Sequence, residues 1–592
     1  MSKQVAALVA LGVAITACGG DDDSSAENDR SSEEETTDDG LFGDAGDAGD
    51  AGDVGGGDAE GDLVGPAPVD AEEPASEPAE EPAQEPASDR PDDAADDAAD
   101  DAASTESGDA RDGDGGLFGE EETDDAEGRF DDNRFADYGY REFIDTEVDP
   151  LSTFALDVDT GSYSIARRWL DEGALPPIES VRPEEYINAF DYSYRVPRSG
   201  LEVSVDGGPS PFDPDNLLVR VGVQAEVVGD DERGDAALTF VIDTSGSMDR
   251  DDRLGLVKDS LSILVDELRD DDTVAIVTYS DTSGIVLEPT PASERRTILG
   301  AIDRLGPGGS TDLEAGLREG YELAREAFDP DGINRVILAS DGVANAGVTD
   351  PGQLAAMIRD DADNGIDLVT VGFGMGNFND ETMEQLANQG DGFYAYVDTD
   401  DEAERLFENE LTSTLVTVAK DAKIQVEFDP DVVRAYRLIG FENRGVRDSD
   451  FRNDDVDAGE LGADHQVTAM YEIELQRGIE LDDREQLGEV FLRWESPKSR
   501  EVDEIDEDID LRDIEPAWSN TPLDFQLATV VATFAEKLRD NPFADDVDLD
   551  SLVEEAWRLA DDYSEQGSDN RDGDADQVEA LAELIDRAAA LS

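Results

Sequence analysis

The sequence predicts a doubly wound, Rossmann-like α/β domain set beside a β-sandwich-like region, with N- and C-terminal helices and a long disordered acidic tether in front. Three observations carry this expectation. Between Ala236 and Val397, short and almost wholly apolar strands alternate with amphipathic helices, the rhythm of a mainly parallel sheet covered on both faces. On either side of that stretch lie runs with the two-residue alternation of half-buried strands. Residues 18–132 hold almost no large apolar side chains.

The chain begins with Lys3 and an apolar run from Val5 to Ala17, too short for a stable span and suited to a secretory signal over residues 1–17. That run ends in Ile15-Thr16-Ala17-Cys18, which resembles the lipobox of bacterial lipoproteins. The resemblance implies cleavage before Cys18 and a diacylglyceryl group on its thiol, tying the protein to a membrane of the cell envelope with its folded part outside the cytoplasm. Residues 18–132 contain GDAGDAGDAGD, EPASEPAEEPAQEPASD and DDAADDAADDAAS. Such a segment cannot bury enough apolar surface to offset its ordering entropy, and a flexible stalk is expected.

Charge narrows the partners. The chain carries 151 Asp and Glu against 44 Lys and Arg, a formal net charge of −107. Nucleic acid is excluded, because phosphate binding needs a basic footprint. The acidity reaches the folded part: residues 236–410 hold 38 carboxylates against 12 Arg and Lys. Lysine is confined to Lys3, Lys258, Lys420, Lys423, Lys498 and Lys537. Dense carboxylates with few lysines fit a protein of high-salt surroundings, where a Debye length of about 3 Å at 1 M screens the repulsion. A genome rich in G and C, favouring Arg, Asp and Ala, gives the same composition.

One cysteine and one histidine exclude an intrachain disulfide and a Cys/His zinc site. Neither GxSxG nor a phosphate-binding GxxxxGK[ST] loop occurs, so His465 reads as structural and no enzyme is expected. The glycines of GFGMGNF, Gly372, Gly374 and Gly376, read as a tight turn and not as a dinucleotide loop.

The folded part divides into four regions. Residues 133–235 should form a short strand, helices at Tyr163–Asp171 and Arg182–Phe190 separated by Pro176-Pro177, and strands within Leu201–Val228. Residues 236–415 hold the alternating α/β region. The strands expected in 416–500 should pair with those of Leu201–Val228, forming a sandwich into which the α/β region is inserted. Residues 501–592 should form a helical region, with helices near Pro522–Asp540, Leu549–Asp562 and Asp576–Leu591.

In open α/β sheets, ligands bind beyond the carboxyl ends of the strands. There the sequence places Asp243, Ser245 and Ser247 of DTSGS after the first α/β strand, Thr311 in GGSTD, and Asp341 in LASDG. All supply oxygen, which suits a hard cation such as Mg²⁺ or Mn²⁺. These residues resemble the metal-ion-dependent adhesion site of von Willebrand factor type A (VWA) domains, whose DxSxS, Thr and Asp elements occur here in that order. The resemblance implies that Ser245, Ser247 and Thr311 touch the metal, that Asp243 and Asp341 act through water, and that a protein partner supplies an Asp or Glu carboxylate.

Further stretches, PLSTFALDVDTGSYSIARRWLDEGALPP, VTVGFGMGNFNDETMEQLA and AYRLIGFENR, resemble one family of bacterial VWA lipoproteins from about residue 130 to 592. The expected function is metal-dependent adhesion or scaffolding. The alternative is a chaperone-like subunit of an envelope assembly or stress complex whose binding ignores the metal.

Overall fold

The computed structural model of the protein describes residues 133–592 apart from 157, 213–215, 230–231, 343–346, 375–378, 410–414, 455, 480, 482–484 and 567–573. The expected signal, Cys18 and tether lie outside the described residues.

The chain opens with β1 (Ile144–Asp145), β2 (Leu151–Ala155), α1 (Gly161–Asp171), α2 (Pro183–Asn188), β3 (Leu201–Pro209) and β4 (Leu217–Ala225). Gly173, at φ +80°, lets the chain leave α1, and Pro183 occupies the first turn of α2, where its missing N–H costs nothing. The α/β region follows as β5 (Ala236–Asp243), α3 (Leu256–Glu267), β6 (Thr273–Tyr279), β7 (Ser283–Pro291), α4 (Arg295–Ile302), α5 (Leu313–Ala327), β8 (Ile333–Ser340), α6 (Pro351–Ala362), β9 (Asp367–Phe373), α7 (Asp380–Gln389), β10 (Tyr394–Val397) and α8 (Asp400–Glu404). Then come β11 (Thr417–Phe428), β12 (Val433–Ile439), β13 (Gly459–Gly462), β14 (Gln466–Leu475), β15 (Gln486–Glu495), β16 (Val502–Asp510), α9 (Leu523–Leu538), α10 (Leu549–Gln566) and α11 (Asp574–Leu591).

The α/β region is built on one sheet of order β10-β9-β8-β5-β6-β7. Its strands run parallel except β7, which returns antiparallel along β6. All eight residues of β5 are buried. Leu238, Phe240 and Ile242 share one apolar cluster with Val257, Leu261 and Leu264 of α3. Val241 falls in another, with Leu317 and Tyr321 of α5 and Val336 and Leu338 of β8. Burial of each such side chain stabilises by roughly 1.5–3 kcal/mol, which is why central strands read as unbroken apolar runs. The fold class is the one expected, a VWA-type α/β region with β-sheets and helices beside it.

Two further sheets draw strands from both sides of this insertion. One has the order β1-β12-β14-β4-β3; the other runs β13-β11-β15-β16, with β2 also paired to β11. Tyr471 of β14 lies opposite Val219 of β4, and Ile424 of β11 opposite Phe154 of β2. Val219, Val221 and Val223 point into the same core as Ile424, Val426 and Leu492. On the other face of the first sheet, Leu218, Ile439 and Met470 pack with α2, α9, α10 and α11.

Three elements differ from the sequence expectation. Residues 501–592 do not begin as helix, since Val502–Asp510 is strand β16 along β15. Its sequence VDEIDEDID is mostly exposed carboxylate, which hides the strand pattern. Strand β7 falls outside the expected alternation of strands and helices; it is an edge strand whose register breaks twice, so its apolar residues do not alternate cleanly. The third is β13, four residues long.

Candidate metal centre

Strand β5 lies between β6 and β8, and the crossovers leave it in opposite directions. This is the switch point at which a doubly wound sheet opens a crevice at its carboxyl edge. Asp243 ends β5 and Asp341 follows β8, and neither exposes any surface. The Asp243 carboxylate is fixed from two sides. The Ser245 backbone N–H donates to its Oδ1 at 2.7 Å, and the Ser340 hydroxyl donates to its Oδ2 at 3.1 Å. Ser245 and Ser247 place their Oγ atoms 2.8 Å apart.

Thr311 is buried in the loop that opens α5. Two backbone bonds stitch this loop to the DTSGS turn, Gly246 N–H to the Gly309 carbonyl at 3.0 Å and Gly308 N–H to the Thr244 carbonyl at 2.7 Å. Asp281 braces it by accepting from the Ser310 N–H at 2.8 Å and hydroxyl at 2.7 Å. Gly309 has φ +94°, and a Cβ there would press on Asp281 at 3.0 Å, so glycine is required. Asp312 then caps α5, accepting from the Ala315 N–H at 3.1 Å.

Asp341 is tied by Arg253, whose Nη1 donates to its Oδ2 at 2.8 Å and to the Ser247 carbonyl at 2.8 Å. The Arg253 stem passes Gly374, which has φ +77° and where a Cβ would come within 2.4 Å of Arg253 Cγ. The glycine therefore serves a left-handed turn and a close side-chain approach, not a phosphate. Sequence reasoning missed Arg253; its only signal was an arginine among aspartates in DRDDRLG, just after DTSGS.

Burial, reinforced by the Asp341 carboxylate, pushes the Asp243 carboxyl up to about 7, while donation from Ser245 and Ser340 pulls it down. Two buried carboxylates at one rim call for positive charge beyond a single guanidinium. The donor set, two carboxylates and three hydroxyls, fits a hard divalent cation. His465 is remote from this chemistry. It is half-buried, its Nδ1 accepts from the Gly462 N–H at 3.0 Å, and desolvation lowers its pKa to about 4.

The switch-point sheet and its DTSGS rim define a VWA domain, and the family model "von Willebrand factor type A domain" matches residues 237–409. The model "von Willebrand factor" matches residues 129–220, and "Uncharacterized protein YfbK, C-terminal" matches residues 413–588. The chain belongs to the family of YfbK, an uncharacterized protein of Escherichia coli strain K12, with which it is 36% identical over 433 residues, covering 68% of this chain and 74% of YfbK. The uncharacterized protein sll0103 of Synechocystis is 24% identical over 298 residues, covering 50% of this chain and 69% of that one. Among solved structures, a von Willebrand factor type A protein from Catenulispora acidiphila matches with a TM-score of 0.38 at 15% identity, covering 64% of this chain and 89% of that chain. No helix among the described residues is long and apolar enough to cross a membrane.

Proposed function

We propose that the protein is a lipid-anchored envelope component that binds a protein partner through a divalent cation held at Asp243, Ser245, Ser247, Thr311 and Asp341. VWA domains commonly mediate protein–protein interaction, and this chain carries one. The observation that carries the metal-dependent reading is the pair of Ser245 and Ser247 hydroxyls, 2.8 Å apart beside the buried Asp243. Hydroxyl ligands neutralise no charge, so a Mg²⁺ or Mn²⁺ ion there keeps its appetite for a carboxylate from outside. Asp243 and Asp341 would hold the ion's water, and Arg253 would fix the angle of Asp341. An Asp or Glu on the partner then completes the shell.

The reading is binding and not catalysis, since the one imidazole is half-buried and engaged elsewhere. The N-terminal cysteine motif supports an anchor on Cys18, with the VWA region displayed outside the cytoplasm. Capture of envelope proteins by the immobilised protein, in molar salt with Mg²⁺, with EDTA and with Asp243→Ala, tests this. A partner retained only by the wild type in Mg²⁺ supports the proposal. A partner retained equally in all three moves binding to the sandwich or the C-terminal helices and contradicts it.

A further inference from the structure

Helix α7 begins beside Asp341, and backbone contacts join the two. The Asn379 N–H donates to the Asp341 carbonyl at 3.3 Å. Gly342, at φ +74°, brings the next residue so close that a Cβ there would lie 2.6 Å from the Asn379 carbonyl oxygen. A displacement of α7 carries with it the backbone that aims the Asp341 carboxylate.

The start of α7 carries two buried carboxylates one helical turn apart, Asp380 with no exposed surface and Glu384 with 4%. Like charges at that spacing repel, and burial sharpens the repulsion. Among the described residues, the cations that pair with them both come from outside the VWA region. Arg182, at the start of α2 and itself buried, donates from Nη1 to Asp380 Oδ2 at 2.7 Å and stands 3.3 Å from Glu384 Oε2. Arg444, beyond β12, lies 3.3 Å from Glu384 Oε1, to which Asn443 Nδ2 donates at 2.7 Å. Glu185 holds Arg182 in turn, and its Oε2 accepts from the Ser162 N–H of α1 at 2.7 Å. The segment before β1 reaches the same place, where Arg134 forms a parallel bridge with Asn379.

We propose, on the reading of the DTSGS rim as a cation site, that Arg182 is a positioning residue of that site. It holds α7 through Asp380, so that Asn379 braces Asp341. Without it, Asp380 keeps no cation and faces Glu384 across one turn, and α7 shifts to bring Asp380 toward water. The sign of the effect separates this role from that of a nearby charge. Removing a positive charge from the neighbourhood tightens a divalent cation, whereas losing the brace on Asp341 loosens it. The VWA region thus depends for its metal geometry on a residue 198 positions before Asp380, in the N-terminal region.

Calorimetric titration of Mg²⁺ into the whole protein in molar KCl tests this role, with Arg182→Gln, Arg182→Lys, Arg220→Gln and Asp243→Ala as variants. Arg220 is the control, buried in an ion pair with Asp206 at 2.6 Å but placed on β4 against Phe525 of α9. Wild type should take up one equivalent that Asp243→Ala does not. Arg182→Gln should bind that equivalent at least fivefold more weakly. Arg182→Lys, a milder change that keeps the charge and loses the fork, should fall between. Arg220→Gln should keep the wild-type affinity even though it lowers the melting temperature. In EDTA, amide hydrogen exchange at Asn379 should be at least tenfold faster in Arg182→Gln than in Arg220→Gln. An affinity unchanged or raised in the Arg182 variants would overturn the proposal, as would a loss in Arg220→Gln equal to theirs. Equal uptake by wild type and Asp243→Ala would overturn the metal site itself, and the role of Arg182 with it.

Discussion

The Arg253 guanidinium and the Asp341 carboxylate form a buried ion pair, 2.8 Å from Nη1 to Oδ2, inside the site proposed to hold a divalent cation. Arg253 partly offsets the two buried carboxylates and holds Asp341 in place. It also repels the ion it helps to position.

Removing that guanidinium separates the two roles. Arg253→Gln should cost about 3–5 kcal/mol in chelator, the usual consequence of removing the cation from a buried ion pair. The rise in melting temperature on adding Mg²⁺ should then be larger in the variant than in wild type, because the ion now supplies charge that Arg253 supplied before. Chemical denaturation in EDTA and melting with and without Mg²⁺ measure both halves. An equal or smaller Mg²⁺ effect in the variant would show that Arg253 does not share the carboxylates with the ion.

His465 gives a pH dependence whose sign follows from its burial. Its folded pKa, about 4, lies below the ordinary value, so the unfolded chain takes up the proton first as pH falls. The stability it contributes is therefore present above about pH 6.5 and lost progressively toward pH 4, amounting to about 2 kcal/mol by pH 5. Urea unfolding of wild type and His465→Asn at pH 7 and pH 5 isolates the effect, since other titrating groups cancel in the difference. A stability gap between the two that does not change with pH would show that the imidazole is not held neutral by the fold.

The net charge of −107 makes salt a structural variable. Raising KCl from about 0.1 M to about 2 M shortens the Debye length from about 10 Å to a few ångström and should raise the melting temperature throughout that range. A melting temperature indifferent to KCl would favour genomic composition over salt adaptation as the origin of the acidity.

Much of the α/β region could be read from the chain because its physics is local. Strand β5, AALTFVID, is buried at every position, so it appears as an unbroken apolar run ended by the oxygen-rich DTSGS turn. Asp341 follows the equally apolar β8 and needed only the switch-point rule to be placed near Asp243. The rest depends on distant partners. Strand β16 is recognisable only through its pairing with β15, because its own residues are mostly exposed acids. Arg253 carries no motif of its own, and its meaning comes from Asp341, 88 residues later.

The claim that the DTSGS rim is a cation site is tested most directly by calorimetric titration of Mg²⁺ into the whole protein in molar KCl, wild type against Asp243→Ala. The account predicts that wild type takes up one more equivalent of Mg²⁺ than the variant. Equal uptake by the two, with both proteins folded, would contradict it.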